Sequence, residues 1–165
     1  VYEAGLMQGT TGTTFSPGRT SNRGQIAAIL HRLEGSPRAG TPPFTDVAAD
    51  SYCADAVAWA EKNNIVRGFE DGTFRPEGRI TRQQLAAILF RYLEHRGADT
   101  AGRADLSRFS DTAAVADYAR EAMAGAVSAG LLQGRSDGTL DPAGSATRAQ
   151  TAVILQRLGA LLEEA

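Results

Sequence analysis

The sequence predicts an all-α fold made of three tandem helix–loop–helix repeats, the first of them truncated. A twelve-residue segment occurs three times, starting at Ser21, Ile80 and Ala146. Recurrence at a spacing of tens of residues is typical of repeat proteins. Within the segments, apolar residues recur at the i, i+3, i+4, i+7 spacing of an amphipathic helix, and alternating apolar and polar runs are almost absent.

Each copy of the segment opens with the pattern of a helix N-terminus. Its second residue is Asn22, Thr81 or Thr147, and a glutamine follows three positions later. This is a capping box, in which the two side chains bind N–H groups at the start of the helix. We therefore predict helices that begin at three equivalent arginines, Arg23, Arg82 and Arg148.

Arginine is an unusual residue for the first position of a helix. The first turn carries unpaired N–H groups and about half a positive charge, so a cation there costs from a few tenths to about 1 kcal/mol. A bound anion would compensate, because N–H donors, the helix dipole and a bidentate guanidinium all suit a carboxylate or phosphate. The alternative is that each arginine pairs with a nearby aspartate and only holds the repeats together.

We place the three repeats at residues 1–35, 36–96 and 97–165, with polar linkers rich in proline or glycine near the two boundaries. The first repeat keeps only its second half, and a helix is expected to end within residues 1–6. First helices are predicted near residues 52–63 and 115–129. The last helix is predicted over residues 148–163, and its apolar side chains should lie on or near one buried face: Val153, Ile154, Leu158, Leu161 and Leu162.

Composition excludes several classes of protein. The 165 residues are 42% hydrophobic and 22% charged, as in a globular domain. The net charge of −2, with acidic residues spread along the chain, argues against nucleic acid or an anionic membrane as the main partner. No apolar run reaches the roughly 18 residues needed to span a bilayer. Cys53 is the only cysteine, which excludes an intrachain disulfide and indicates buried packing.

Several further motifs, taken with the capped segment, resemble the S-layer homology (SLH) repeat. Phe44-Thr45-Asp46 and Phe109-Ser110-Asp111 are similar to its opening. Ile65-Val66-Arg67-Gly68 and Leu131-Leu132-Gln133-Gly134 are similar to its mid-repeat turn. Ile80-Thr81-Arg82-Gln83-Gln84 is similar to its Ile-Thr-Arg-Ala-Glu signature, with glutamine in place of the glutamate. The resemblance covers nearly the whole chain.

The resemblance implies a pseudo-threefold helical unit with a non-catalytic activity and no cofactor. Such units anchor secreted proteins to the bacterial cell wall by binding secondary cell-wall polysaccharide, often through pyruvylated N-acetylmannosamine, in grooves between repeats. We therefore expect a cell-surface location, with any targeting signal in another part of a longer protein. The residues that match the family's motifs give the implied ligand-binding set: Arg23, Arg82, Arg148, Gly68, Gly134, Trp59, Asp46 and Asp111.

The resemblance also implies a role for each class of residue in this set. The arginines would bind the pyruvyl carboxylate, and we expect Arg82 to be in the leading site, followed by Arg148 and Arg23. The glycines would let the backbone approach the sugar. Trp59, or alternatively Tyr52 or Tyr118, would pack against a sugar face. Trp59 aligns with a glycine in the third repeat, so the grooves are not expected to be equivalent.

Other interpretations remain open. An enzyme is disfavoured because His31 and His95 stand at predicted helix ends, where histidine commonly faces solvent near the last carbonyls. The Asp-Gly pairs at Asp71 and Asp137 indicate turns, since neither loop has the ligand spacing of a calcium site. The acidic balance disfavours a DNA-binding helix-turn-helix. A protein–protein or self-association module, pairing through the truncated first repeat without binding glycan, is the main alternative.

Overall fold

A computed structural model describes Gly5, residues 7–11 and residues 13–163 of the chain. These residues contain five α-helices: α1 (Arg23–Leu33), α2 (Ala54–Lys62), α3 (Arg82–His95), α4 (Asp117–Ser128) and α5 (Arg148–Glu163). Two short 3₁₀ turns, Leu106–Arg108 and Thr112–Ala114, precede α4. The described residues form no β-strand, only isolated bridges. The predicted all-α class is confirmed, whereas the helix end expected within residues 1–6 lies, apart from Gly5, outside the described residues.

The predicted starts of α1, α3 and α5 are confirmed to the residue. At α1, the Gln25 amide donates to Asn22 Oδ1 at 2.7 Å, and the Asn22 amide donates to Gln25 Oε1 at 3.1 Å. The equivalent pair at α3, Thr81 and Gln84, makes the same two bonds at 3.3 and 3.1 Å. A capping box fixes where a helix begins through local hydrogen bonds alone, and so the sequence locates it well.

The described residues form two compact units. The first contains those up to Ile80 together with Thr147–Ala149, and in it α1 packs against α2. The second contains Thr81–Ala146 together with the described residues from Gln150 onward, and in it α3 packs against α4. The predicted repeat boundaries are not the boundaries of these units and stay a prediction.

The backbone repeats a costly conformation at one position of each repeat. Ser16, Arg75 and Asp141 have φ values of 54°, 57° and 49°, and each precedes a proline. A left-handed conformation costs a residue other than glycine roughly 1–2 kcal/mol. Its recurrence shows that the three loops share one backbone geometry, as their common sequence landmarks predict.

The Asp-Gly pairs form turns, as predicted. Oδ1 of Asp71 accepts hydrogen bonds from the Thr73 amide at 3.0 Å and the Thr73 hydroxyl at 2.6 Å, and Gly72 takes φ of 79°. These bonds, with a further one from Arg75, lower the pKa of Asp71 to about 2. Asp137 makes the same two bonds to Thr139. The carboxylates therefore serve the turns themselves.

The two helix pairs differ in which helix supplies the large aromatic side chain at their interface. In the first unit, Trp59 of α2 is 7% exposed and packs against His31 of α1, with ring centroids 5.6 Å apart. In the second unit, α4 has Gly125 at the position equivalent to Trp59, and Phe90 of α3 fills the space. A Cβ atom on Gly125 would lie 2.3 Å from Cε2 of Phe90. The difference between Trp59 and Gly125 is thus explained by the residue that faces each of them.

Two expectations about individual side chains are wrong. His31 does not face solvent: it is 8% exposed, and its Nε2 lies 2.7 Å from the carbonyl oxygen of Pro37. Val153 is 46% exposed, and Leu155 is buried in its place. The apolar residues of α5 are nearly continuous around Val153, so spacing alone does not show which face packs inward.

The fit of Phe90 against α4 gives a stability prediction. Gly125→Ala should lower the free energy of unfolding by about 1–3 kcal/mol, because the added methyl group overpacks the helix interface. Gly159→Ala is the matched control: Gly159 also lies within a helix, and its Cβ would meet nothing within 4 Å. The control should be stabilising by up to about 1 kcal/mol through helix propensity. Urea unfolding measures both, and equal changes would contradict this account of the interface.

Candidate functional site

The three helix-initial arginines are buried and bind backbone carbonyls. Their exposed fractions are between 5% and 6%. Nε of Arg82 donates to the carbonyl oxygen of Leu140 at 2.7 Å, and Nη2 donates to that of Gln133 at 2.7 Å. The equivalent acceptors are Phe74 and Arg67 for Arg23, and Phe15 and Gln8 for Arg148. Each guanidinium therefore holds a loop that belongs to another repeat.

The first N–H groups of these helices are also occupied. In α3, the amide of Arg82 donates to the carbonyl oxygen of Gly144 at 2.8 Å, and that of Gln83 donates to Pro142 at 3.0 Å. The same bonds lead from α1 to Gly78 and Pro76, and from α5 to Arg19 and Pro17. The expectation of free N–H donors that await an anion is therefore wrong. Carbonyl dipoles of the loops supply the negative partner that the helix start requires.

The carboxylates of Asp46 and Asp111 bind the same loops whose carbonyl groups bind Arg23 and Arg82. The carboxylate of Asp46 accepts from the amides of Phe74 and Arg75, at 2.8 and 2.7 Å. Asp111 accepts from the amides of Leu140 and Asp141, both at 2.7 Å. The peptide unit whose carbonyl binds the arginine is thus fixed by an aspartate. These carboxylates have a role within the protein, and a role in ligand binding stays a prediction.

Gly68 and Gly134 make room for aromatic rings of their own repeats. A Cβ atom on Gly68 would lie 2.3 Å from Cε1 of Phe44, and one on Gly134 would lie 2.3 Å from Cε1 of Phe109. Each phenylalanine opens the Phe-Thr/Ser-Asp motif. The spacing of motif and glycine is thereby explained by packing, and close approach of a sugar to either glycine stays a prediction.

The aromatic side chains proposed as sugar contacts differ in exposure. Trp59 is buried against α1, whereas Tyr52 and Tyr118 are 58% and 56% exposed. The hydroxyl of Tyr52 donates to Oδ1 of Asn22 at 3.2 Å. Burial of the hydroxyl, with the nearby Cys53, raises the pKa of Tyr52 above its ordinary value, so it remains a neutral donor. The tyrosines offer the aromatic surface that Trp59 lacks.

A cavity of about 410 Å³ in the first unit has the buried Arg148 among its lining residues. We call it the arginine cavity, because Arg19, Arg32 and Arg148 all contribute to its wall. None of its described lining residues is acidic. The remaining residues are Met7, Gln8, Gly9, Thr10, Ser21, Gln25, Ala28, Ile29 and Tyr52.

The electrostatic surroundings of Arg148 and Arg82 differ. Burial lowers the pKa of Arg148, and the positive charge of Arg19 lowers it further. Burial and Arg135 likewise lower the pKa of Arg82, but Asp141 and Asp111 act in the opposite direction. Arg135 forms an ion pair with Asp141. The positive charge near Arg82 is therefore compensated within the protein, whereas Arg19 is the charged residue that acts on Arg148; the predicted order of the arginine sites stays a prediction.

Sequence reasoning missed Arg19 and Arg32. Arg32 is the last residue of the repeated segment, where the other copies also have arginine. Arg19 stands where the other repeats have Gly78 and Gly144, and this departure from the repeat pattern was the available signal. Its importance depends on proximity to Arg148, which the sequence does not show.

Comparison with known proteins identifies the repeats. The model of the family described as "S-layer homology domain" matches residues 1–27, 43–86 and 108–152, more than half of the chain. Amylopullulanase of Thermoanaerobacterium thermosulfurigenes is 31% identical over 93% of the chain and 8% of its own length. Cell surface glycoprotein 1 of Acetivibrio thermocellus is 40% identical over 92% of the chain and 7% of its own length. The cellulosome-anchoring protein of that species is 26% identical over 93% of the chain and 35% of its own length. The chain thus spans a minor part of each of these relatives.

The bonds of Arg82 lead to a second stability prediction. Arg82→Lys should lower the free energy of unfolding by about 2–4 kcal/mol, because an ammonium group does not reproduce the fork that binds two carbonyls. Arg120→Lys is the control, since the ion pair of Arg120 with Asp117 is exposed and should contribute less than about 1 kcal/mol. Thermal and urea unfolding of both variants measure the difference. A change in Arg82→Lys as small as that of the control would refute the proposed role of the arginine–carbonyl bonds.

Proposed function

We propose that the chain, which belongs to the S-layer homology domain family, is a non-catalytic module that anchors a longer polypeptide to the bacterial cell wall by binding an anionic wall polysaccharide. The resemblance found in the sequence motifs is confirmed by the family model. Relatives named as cell-surface and cellulosome-anchoring proteins support a surface location. Among the described residues, no helix has the length and apolar character needed to cross a membrane.

The arginine cavity is the observation that carries the proposal for the ligand. Arg19, Arg32 and Arg148 line one volume, and none of its other described lining residues is charged. An anion that enters it relieves the repulsion between Arg19 and Arg148 and gains charge-assisted hydrogen bonds. A guanidinium has five N–H donors, and the loop carbonyls use two of those of Arg148. The same residue can therefore hold the loop and bind a ligand.

The chemistry of the cavity wall supports a pyruvylated sugar. Met7, Ala28 and Ile29 are buried residues that form an apolar part of the wall, beside the guanidinium groups. A pyruvyl ketal carries a methyl group and a carboxylate on one carbon. The methyl group would contact the apolar part of the wall, and the carboxylate would bind the guanidinium groups. The half-exposed ring of Tyr52 offers an apolar face to the sugar ring. The volume lies within the roughly 300–1,000 Å³ of ligand pockets.

In this proposal, the other residues of the predicted ligand-binding set mainly stabilise the folded protein. Arg23, Arg82, Asp46 and Asp111 fix the loops of the second and third repeats. Direct contact of these residues, or of Gly68, Gly134 and Trp59, with the polysaccharide stays a prediction. Self-association through the first repeat stays the alternative function.

Arg19 provides the sharpest test of the proposed ligand site. Arg19→Gln should weaken binding to purified pyruvylated wall polysaccharide by about tenfold or more, because a charge-assisted hydrogen bond contributes roughly 1.5–3 kcal/mol. Arg19 is exposed, so the substitution should leave the folded structure intact. Arg38→Gln, at an exposed arginine outside the lining of the cavity, makes the same change of charge and should have less than about a twofold effect. Isothermal titration calorimetry measures both variants.

Removal of pyruvyl groups from the polysaccharide tests the nature of the anion. Pull-down of the protein with cell walls should fall to background after depyruvylation. Binding that is indifferent to this treatment would reject the pyruvyl carboxylate. Equal losses in Arg19→Gln and Arg38→Gln would reject the arginine cavity as the site.

A further inference from the structure

Residues 36–43 connect α1 to the Phe-Thr-Asp motif of the second repeat without regular secondary structure. Most of their side chains are exposed, and the described residues make no backbone–backbone hydrogen bond to residues 37–43. Two weaker attachments are present: Nε2 of His31 lies 2.7 Å from the carbonyl oxygen of Pro37, and the amide of Ala39 lies 3.4 Å from Oδ1 of Asp55. Exposed segments with few backbone hydrogen bonds are preferred sites of proteolytic cleavage.

Arg38 is the basic residue of this segment. Its side chain is exposed and makes no hydrogen bond, ion pair or ring contact with any other residue that the structure describes. Trypsin-like endoproteases bind a basic side chain in a pocket that contains a carboxylate. They also bind the substrate backbone in an extended form, through its own N–H and C=O groups. The segment around Arg38 has both the side chain and the backbone groups available for such binding.

Every other arginine outside the helices has a protected peptide bond on its carboxyl side. Arg75 is followed by proline, before which trypsin-like enzymes do not cleave. In the remaining cases, the carbonyl or amide group of that peptide bond takes part in a hydrogen bond of 2.7 to 3.1 Å: Arg19, Arg67, Arg79, Arg96, Arg103, Arg108 and Arg135. Lys62 and the other arginines lie within helices. Cleavage at any of these positions first requires local unfolding.

The contrast is clearest with Arg103, which lies in the linker between the second and third repeats. Its Nη2 atom pairs with Oε1 of Glu121 at 2.5 Å, and its guanidinium carbon lies 4.9 Å from the centre of the Phe90 ring. The amide of Ala104 donates to the carbonyl oxygen of Ala124 at 3.0 Å. Side chain and backbone of this linker are therefore both attached to the helices beneath it, unlike those at Arg38.

The contacts of α1 hold the protein together without the covalent link at Arg38. Nε and Nη2 of Arg23 donate to the carbonyl oxygens of Phe74 and Arg67, at 2.7 and 2.9 Å. The amide of Arg23 donates to Gly78 at 3.0 Å, and α1 packs against α2. All these contacts join residues before Arg38 to residues after it. Hydrolysis at Arg38 removes none of them.

We propose that the Arg38–Ala39 peptide bond is a processing site for an endoprotease of trypsin-like specificity, and that the cleaved protein persists as a two-chain complex. In this reaction, water adds to the carbonyl carbon of Arg38 and the C–N bond breaks. Arg38 gains a carboxylate and Ala39 gains an amino group. The segment containing α1 is then held by hydrogen bonds and packing alone.

The test is limited digestion of the folded chain with trypsin, followed by mass spectrometry of the fragments. The first products should be residues 1–38 and 39–165. Arg38→Gln should lower the rate of the first cleavage by about tenfold or more, because every remaining site requires local unfolding. Arg103→Gln is the matched control, since it removes an exposed arginine of the other linker with the same change of charge. It should alter that rate by less than about twofold.

Size-exclusion chromatography of the digest tests the second part of the proposal. The two fragments should elute together in buffer without denaturant and separately in urea. A first cleavage at another residue, or an unchanged rate in Arg38→Gln, would reject the processing site. Fragments that separate without denaturant would reject the two-chain complex.

Discussion

The fold depends on a hydrogen-bonded contact between a helix start and a loop. In each contact, a buried guanidinium binds two loop carbonyls, and the first two amides of the helix bind two more. This contact satisfies the N-terminal turn and at the same time buries a charge that has two of its donors paired with carbonyl oxygens. The left-handed residue before the loop proline is maintained against its conformational cost within this network. Helix capping, loop conformation and the association of repeats are therefore one set of interactions.

This contact also explains why the same residues recur at equivalent positions of the repeats. The arginine, the aspartate of the opening motif, the mid-repeat glycine and the loop proline all belong to it or border it. Each has a reason in packing or hydrogen bonding that requires no ligand. Recognition of the family from these residues is consequently a recognition of architecture. The proposed ligand site depends instead on a residue that varies among the repeats, since Arg19 stands where the other repeats have Gly78 and Gly144.

The sequence predicts features that local contacts determine, and it does not predict those that depend on contacts between distant residues. Helix starts were predictable because a capping box such as Asn22 with Gln25 is formed within four residues. The orientation of α5 was not, since its apolar residues are nearly continuous and only tertiary contacts select Leu155 over Val153. The bonds of the helix-initial arginines to loop carbonyls were not predicted, because these acceptors lie far away in sequence and are backbone atoms, which carry no sequence signal. The arginine cavity was missed for a related reason: it joins Arg19 to a residue near the other end of the chain.

The separation between Phe15 and Arg148 along the chain has a consequence for biogenesis. The carbonyl group of Phe15 is made 133 residues before the guanidinium that binds it. The contacts of Arg23 with Phe74 and of Arg82 with Leu140 can both form before Arg148 has been made. The wall of the arginine cavity is therefore completed after the other two helix–loop contacts, although its other residues lie among the first to be made of those that form the three contacts.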